Sequence, residues 1–150
     1  MYFDKFAYEF EKRQFKMFPP SKTELNRIIN QYDNLPKAYV ELLELIGAGA
    51  SAPFWSGCEF FIRDIPLLKE YAQETLSDNL STVELKNDDF VFWMSQGTIF
   101  CFFNLNEGDN PPIYLFTEAN PNEFQCVANK LTDFIWNYCF EPQIAFEEIS

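Results

Sequence analysis

Histidine is absent from the 150 residues. Without an imidazole there is no Ser-His or Cys-His nucleophile and no histidine metal ligand, which removes a large set of enzymes. Cysteine is sparse: Cys58, Cys101, Cys126 and Cys139 stand far apart with no Cys-x-x-Cys pair. Neither a disulfide framework nor a zinc site is expected, and the four read as reduced, mostly buried thiols. No apolar run is long enough to span a bilayer, and Met1-Tyr2-Phe3-Asp4-Lys5 lacks the basic start and apolar run of a signal peptide. A cytoplasmic location without membrane association is the expectation. Glycine is scarce, and Gly47-Ala48-Gly49 follows a helical pattern with no later glycine, so a phosphate-cradling loop is missing and no cofactor is expected. Basic residues are few: eleven Lys and Arg against twenty-three Asp and Glu leave a net charge of −12. Such a surface repels phosphate backbones, which argues against nucleic acid as a partner, and attracts basic proteins.

Aromatic residues are plentiful, with eighteen Phe among a 19% aromatic share, and these rings bury enough area to fold a highly charged chain. A single domain over 1–150 is expected. Phe3, Phe6 and Phe10 at helical spacing predict an amphipathic helix within residues 1–18, broken by Pro19-Pro20. Ser21 and Glu24 have capping-box spacing and open a second helix with Leu25, Ile28, Ile29 and Tyr32 as its core face. Residues 59–63 read as a short strand. Asp64-Ile65-Pro66 opens a helix to about Leu76, with Leu67, Leu68, Tyr71 and Ala72 available for burial, and residues 77–87 form a polar connection. Runs at 90–94, 98–103 and 113–116 predict an antiparallel meander, its first link a tight turn at Ser95-Gln96-Gly97. Both alternating faces of these runs are apolar, so the sheet needs two covers. The second is assigned to the Phe3, Phe6 and Phe10 helix, with a homodimer contact as the alternative. Asn120, Pro121 and Glu123 predict the start of a last helix whose stripe runs from Phe124 through Val127, Ala128, Leu131, Phe134 and Ile135 to Tyr138, and Ile144 with Phe146 suggests an edge strand.

One stretch carries its own start and stop. In Leu35-Pro36-Lys37-Ala38-Tyr39-Val40-Glu41-Leu42-Leu43-Glu44-Leu45-Ile46-Gly47-Ala48-Gly49, the proline suits a first helical position. Tyr39, Leu42, Leu43 and Ile46 make one apolar stripe, and the glycines are expected to close it in left-handed conformation. This Leu-Pro helix, the hairpin with its central Gly97, the Pro111-Pro112-Ile113-Tyr114 strand and the terminal apolar stripe together resemble the SUKH superfamily, which includes yeast cell-wall-synthesis regulators and bacterial immunity proteins. The resemblance covers roughly residues 21–138. It implies an α+β fold, a mainly antiparallel sheet flanked by N-terminal helices and a C-terminal helix. It further implies a cytoplasmic bacterial immunity protein that neutralises a cognate toxin of a polymorphic toxin system by binding it.

The acidic charge adds that such a toxin is basic, plausibly a nuclease. The alternatives are a non-enzymatic regulatory scaffold or adaptor of the same fold and, third, a carboxylate-dependent enzyme. For the last, Asp88-Asp89 is the best acid pair, but neighbours along a strand point to opposite faces and do not share a site. Glu107 and Asp109, among asparagines, lack the spacing of a calcium loop and read as a turn. As accessible corners, Asp88 with Asp89 and Glu107 with Asp109 are the candidate protein-interface acids. Trp55, between Pro53 and Gly57, is the candidate aromatic anchor. No catalytic or metal residue is assigned.

Overall fold

Ser21 behaves as its spacing demands: its hydroxyl accepts from the Glu24 N–H at 3.2 Å, and Glu24 Oε1 accepts from the Ser21 N–H at 3.2 Å. This capping box opens α2 (Lys22–Gln31) in the computed structural model, which describes residues 1–141. Before it come α1 (Asp4–Lys12) and β1 (Met17–Phe18); after it come α3 (Lys37–Ile46), β2 (Gly49–Ala50), a 3₁₀ turn at Pro53–Trp55 and β3 (Cys58–Glu59). Then follow α4 (Ile65–Asp78), β4 (Asp89–Ser95), β5 (Ile99–Asn104), β6 (Ile113–Phe116), β7 (Gln125–Ala128) and α5 (Leu131–Phe140). β1 and β2 pair in a small antiparallel ribbon, and β3-β4-β5-β6-β7 form an antiparallel sheet in chain order. The fold is α+β. Ile144 and Phe146 lie outside the described residues.

The Leu-Pro helix is buried as its stripe requires: Tyr39, Leu42, Leu43 and Ile46 are each fully inaccessible. Its closing glycine has a different reason from the one its sequence suggests. Gly47 is right-handed, with φ −58°. A Cβ there would lie 2.5 Å from the Leu43 carbonyl oxygen and 2.7 Å from Ile62 Cδ1, so the preceding turn's own carbonyl, with the Ile62 side chain packed against it, demands glycine. Glu41, on the same helix, reaches back to accept the N–H groups of Tyr2 and Phe3 at 3.3 and 2.5 Å, capping the entry to α1.

The helix expected across residues 1–18 ends early. Gln14 takes φ +63°, the Phe15 N–H returns to the Phe10 carbonyl at 3.0 Å, and Met17–Phe18 then pairs with Gly49–Ala50. Residues 59–63 also depart from expectation, since the strand is only Cys58–Glu59 and Phe60, Phe61 and Ile62 turn into the core. The final helix begins at Leu131, because residues 125–128 add β7 to the sheet edge.

The two-faced sheet is covered on both sides, by different helices from those expected. On one face, Phe90, Phe92, Phe103, Ile113 and Leu115 join α1, α3 and α5 in the larger apolar cluster. Phe6 and Phe10 of α1 meet Phe140 of α5 at 5.7 and 6.4 Å, so α1 belongs to this layer and is not the second cover. That cover is α4, whose Leu68, Ala72 and Leu76 pack on Val91, Met94, Phe100, Phe102 and Phe116. Leu67 and Tyr71, expected inside, are 46% and 42% exposed. The register shift between Val91 and Trp93 lets the successive residues Phe92 and Trp93 serve one cluster. Thr75 Oγ1 donates to the Gly97 carbonyl at 2.7 Å, tying α4 to the hairpin turn, where Gln96 and Gly97 both have positive φ.

Two outcomes follow for measurement. Leu42→Ala should lower unfolding free energy by about 2–5 kcal/mol in denaturant titration, because it opens a cavity in a core with no spare exposure; an unchanged midpoint would contradict that burial. The four cysteines are free, but only Cys126 is exposed. Burial pushes the Cys58 thiol up to about 11 and raises Cys101 and Cys139 as well. A thiol reagent at neutral pH should therefore modify Cys126 quickly and the others only on unfolding, and rapid native reaction at Cys101 would contradict the packing.

Candidate functional site

α4 stops before it has covered the sheet. The Ser81 N–H closes the helix on the Leu76 carbonyl at 3.0 Å, and Leu80 takes the left-handed position, φ +52°, that glycine usually fills. Asn79 Nδ2 donates to Glu118 Oε2 at 2.9 Å, and the Thr82 N–H donates to Asn122 Oδ1 at 3.0 Å. These bonds steer the chain over the end of the sheet, beside the loop before β7. A cleft of about 380 Å³ remains there, with Phe102, Tyr114 and Phe124 as its apolar lining. Glu84, Asp89, Glu107 and Glu123 supply four carboxylates, against the single cation Lys86. A second groove of about 610 Å³ adjoins it, sharing Val83 and Glu84 and edged by Leu80.

Register builds the aromatic floor. Phe102 on β5 pairs directly with Tyr114 on β6, and their rings stack at 5.4 Å and 29°. Phe124 meets Phe102 edge-on at 4.8 Å and 76°. Phe102 is buried, while Tyr114 and Phe124 are half-buried and open to the cleft. Both Glu107 carboxylate oxygens lie near the Tyr114 hydroxyl, which donates at 3.1 and 3.0 Å. Burial, with Glu107 second, pushes the Tyr114 phenol up to about 12.

The acid pair at the start of β4 is held by amides. Asp89 is 7% exposed, and its oxygens accept from Asn104 Nδ2 at 2.9 Å and the Lys86 N–H at 2.8 Å. Asp88 is half-buried beside it and accepts from Asn106 Nδ2 at 2.5 Å. The Asn104 and Asn106 amides hold the Asp88 carboxyl below its usual range. Among the described residues the ion pairs are the Met1 amine with Asp4 and Arg13 with Glu9, so the cleft carboxylates have no cationic partner. Lys69, the nearby ammonium, donates to the carbonyls of Lys86 and Asn87 at 2.6 and 3.2 Å. Among the described residues no group of three Cys, Asp or Glu side chains gathers to hold a metal.

The five residues singled out by sequence separate. Asp89 and Glu107 line the cleft and Asp88 adjoins it. Asp109 is exposed but outside the cleft, and its carbonyl accepts the Ala38 N–H at 2.9 Å, fixing the start of α3. Trp55 is only 4% exposed and stacks on Phe60 at 4.4 Å, so this tryptophan is core and not a surface anchor. Sequence reasoning missed Glu84, Tyr114, Glu123 and Phe124 as cleft residues. The Pro-Pro-Ile-Tyr strand was their one local signal.

A family model describing the SMI1/KNR4 family (SUKH-1) matches residues 19–137. The chain belongs to that family. The match takes in every cleft residue and the whole α4-side apolar cluster, and it starts after α1. No curated protein matches the chain. The SUKH-1 domain thus presents, at the end of its sheet, an acidic aromatic concavity that suits recognition of positive charge. No helix among the described residues is long and apolar enough to cross a membrane.

The phenol gives this geometry a titration signature. Because the folded pKa of Tyr114 lies above its ordinary value of 10, the stability it contributes is full below pH 10 and is lost as pH rises towards about 12. Ultraviolet or NMR titration should find Tyr114 ionising near 12. Glu107→Gln should lower that midpoint only in part, since burial is the larger cause; a wild-type midpoint at 10 would contradict the packed, hydrogen-bonded ring.

Proposed function

We propose that this SUKH-1 protein is a non-enzymatic binding protein of the immunity type, which neutralises a basic protein toxin by occluding it. The observation that carries the reading is the cleft with four carboxylates against one lysine and no ion pair to them among the described residues, on a chain of net charge −12. Long-range attraction steers a basic partner to such a surface, and the aromatic floor supplies short-range contact. Hydrogen bonds from the Asn104 and Asn106 amides lower the Asp88 pKa and so disfavour the protonated form that general-acid work needs, which favours binding over carboxylate catalysis. A cytoplasmic setting fits the free cysteines. A regulatory scaffold binding a basic partner would use the same cleft; rescue of growth when the chain is co-expressed with a candidate toxin, the product of the adjacent gene, separates immunity from scaffolding.

Stopped-flow association with that toxin should slow markedly as salt rises, while dissociation changes less, because steering is screened over about 8 Å at physiological ionic strength. A salt-independent on-rate would overturn the electrostatic mechanism. Leu80 supplies a second check. It is 86% exposed, apolar and left-handed, three features that cost stability and favour contact with a partner. Leu80→Gly should raise stability by about 1 kcal/mol through relief of the left-handed strain and should weaken toxin binding. A stabilised variant with unchanged affinity would remove Leu80 from the interface.

A further inference from the structure

We infer that the cleft between residues 84–89 and Phe124 is a receptor for one arginine side chain, presented by a basic segment of the partner protein. The inference rests on the protein-binding reading above and adds the chemistry of the group that is bound. Charge selects a cation: Glu84, Glu107 and Glu123 stand exposed at the cleft, with the buried Asp89 behind them. The hydrogen-bond donors to Asp89 are neutral, the Asn104 amide and the Lys86 N–H, and the one ammonium whose field reaches it, that of Lys69, makes no ion pair with it. Lys69 is committed to two backbone carbonyls, and Lys86 is exposed and makes no ion pair among the described residues.

Shape then selects between cations. The half-buried ring of Tyr114, stacked on Phe102, offers a flat surface, and Phe124 stands beside it as a wall. A guanidinium is planar and weakly hydrated, lies flat on aromatic faces and forks onto a carboxylate. An ammonium is a strongly hydrated point charge that gains less from such a surface. Glu107 is already oriented, because the Tyr114 hydroxyl donates to its carboxylate while lone pairs remain free for the fork. The class of ligand is therefore a protein arginine flanked by further positive charge.

Calorimetric titration of the full chain with end-blocked hexaarginine and hexalysine, equal in charge, tests this. Hexaarginine should bind about tenfold tighter, the scale of a desolvated guanidinium–aromatic contact. Glu107→Gln and Tyr114→Leu should each reduce that ratio, whereas Glu11→Gln and Glu44→Gln, which remove the same charge from α1 and α3, should leave it unchanged. Glu107→Gln alters an exposed side chain and carries the test if Tyr114→Leu fails to fold. Equal affinities for the two peptides, or equal loss from cleft and control variants, would overturn the inference. Toxin capture without arginine preference would leave the binding reading standing and reject the receptor. Arginine preference without toxin capture would do the reverse.

Discussion

Strands β4 and β5 carry large apolar side chains at nearly every position, so neither face of the sheet can be left in water. At roughly 25 cal/mol per Å² of buried apolar area, exposing one face would cost more than a small domain's whole margin of stability. The rest of the fold answers this constraint. The Leu-Pro helix and the terminal helix take one face, with α1 added at their side, and α4 takes the other. α4 is one helix against a five-stranded sheet, and it ends at Asp78 in a left-handed leucine. The uncovered end of the second face, around Tyr114 and Phe124, becomes the cleft. Candidate site and core arise from one packing shortfall.

The acidic residues divide by what they hold. Glu24 caps α2, Glu41 caps the entry to α1, and Asp64 accepts the Phe60 N–H at 3.2 Å. These carboxylates have structural occupations, and acids at helix starts are favoured by the helix dipole. The cleft carboxylates make no ion pair among the described residues, and in water such a group is satisfied by solvent at little cost to the fold. Their mutual repulsion nonetheless opposes the compact state. A partner that brings positive charge relieves that repulsion on binding, which connects the electrostatics to the proposed binding role.

The Leu-Pro helix, the capping box and the meander were legible because each is encoded within a dozen residues by a proline, a hydroxyl–carboxylate spacing or an apolar run. Met17–Phe18 was not, since a two-residue strand has no period and owes its pairing to Gly49–Ala50 far along the chain. Residues 124–128 misled because Phe124, Val127, Ala128 and Leu131 fit a helical repeat, while the sheet edge offered β7 a partner in β6. Leu67 and Tyr71 displaced the apparent stripe of α4 from its true line through Leu68, Ala72 and Leu76. For the site, Asp89 and Glu107 were visible as corner acids. Their meeting with Tyr114, Glu123 and Phe124 depends on strand register, which no local pattern carries.

Amide chemical-shift mapping tests whether a partner binds at the uncovered end of the second face. A ¹⁵N-labelled chain titrated with the proposed basic partner, the product of the adjacent gene, should show its largest shifts at Leu80, Glu84, Glu107, Tyr114 and Phe124, with α1 and α3 little changed. Shifts concentrated on α1 and α3, with the cleft residues unmoved at saturation, would contradict binding there.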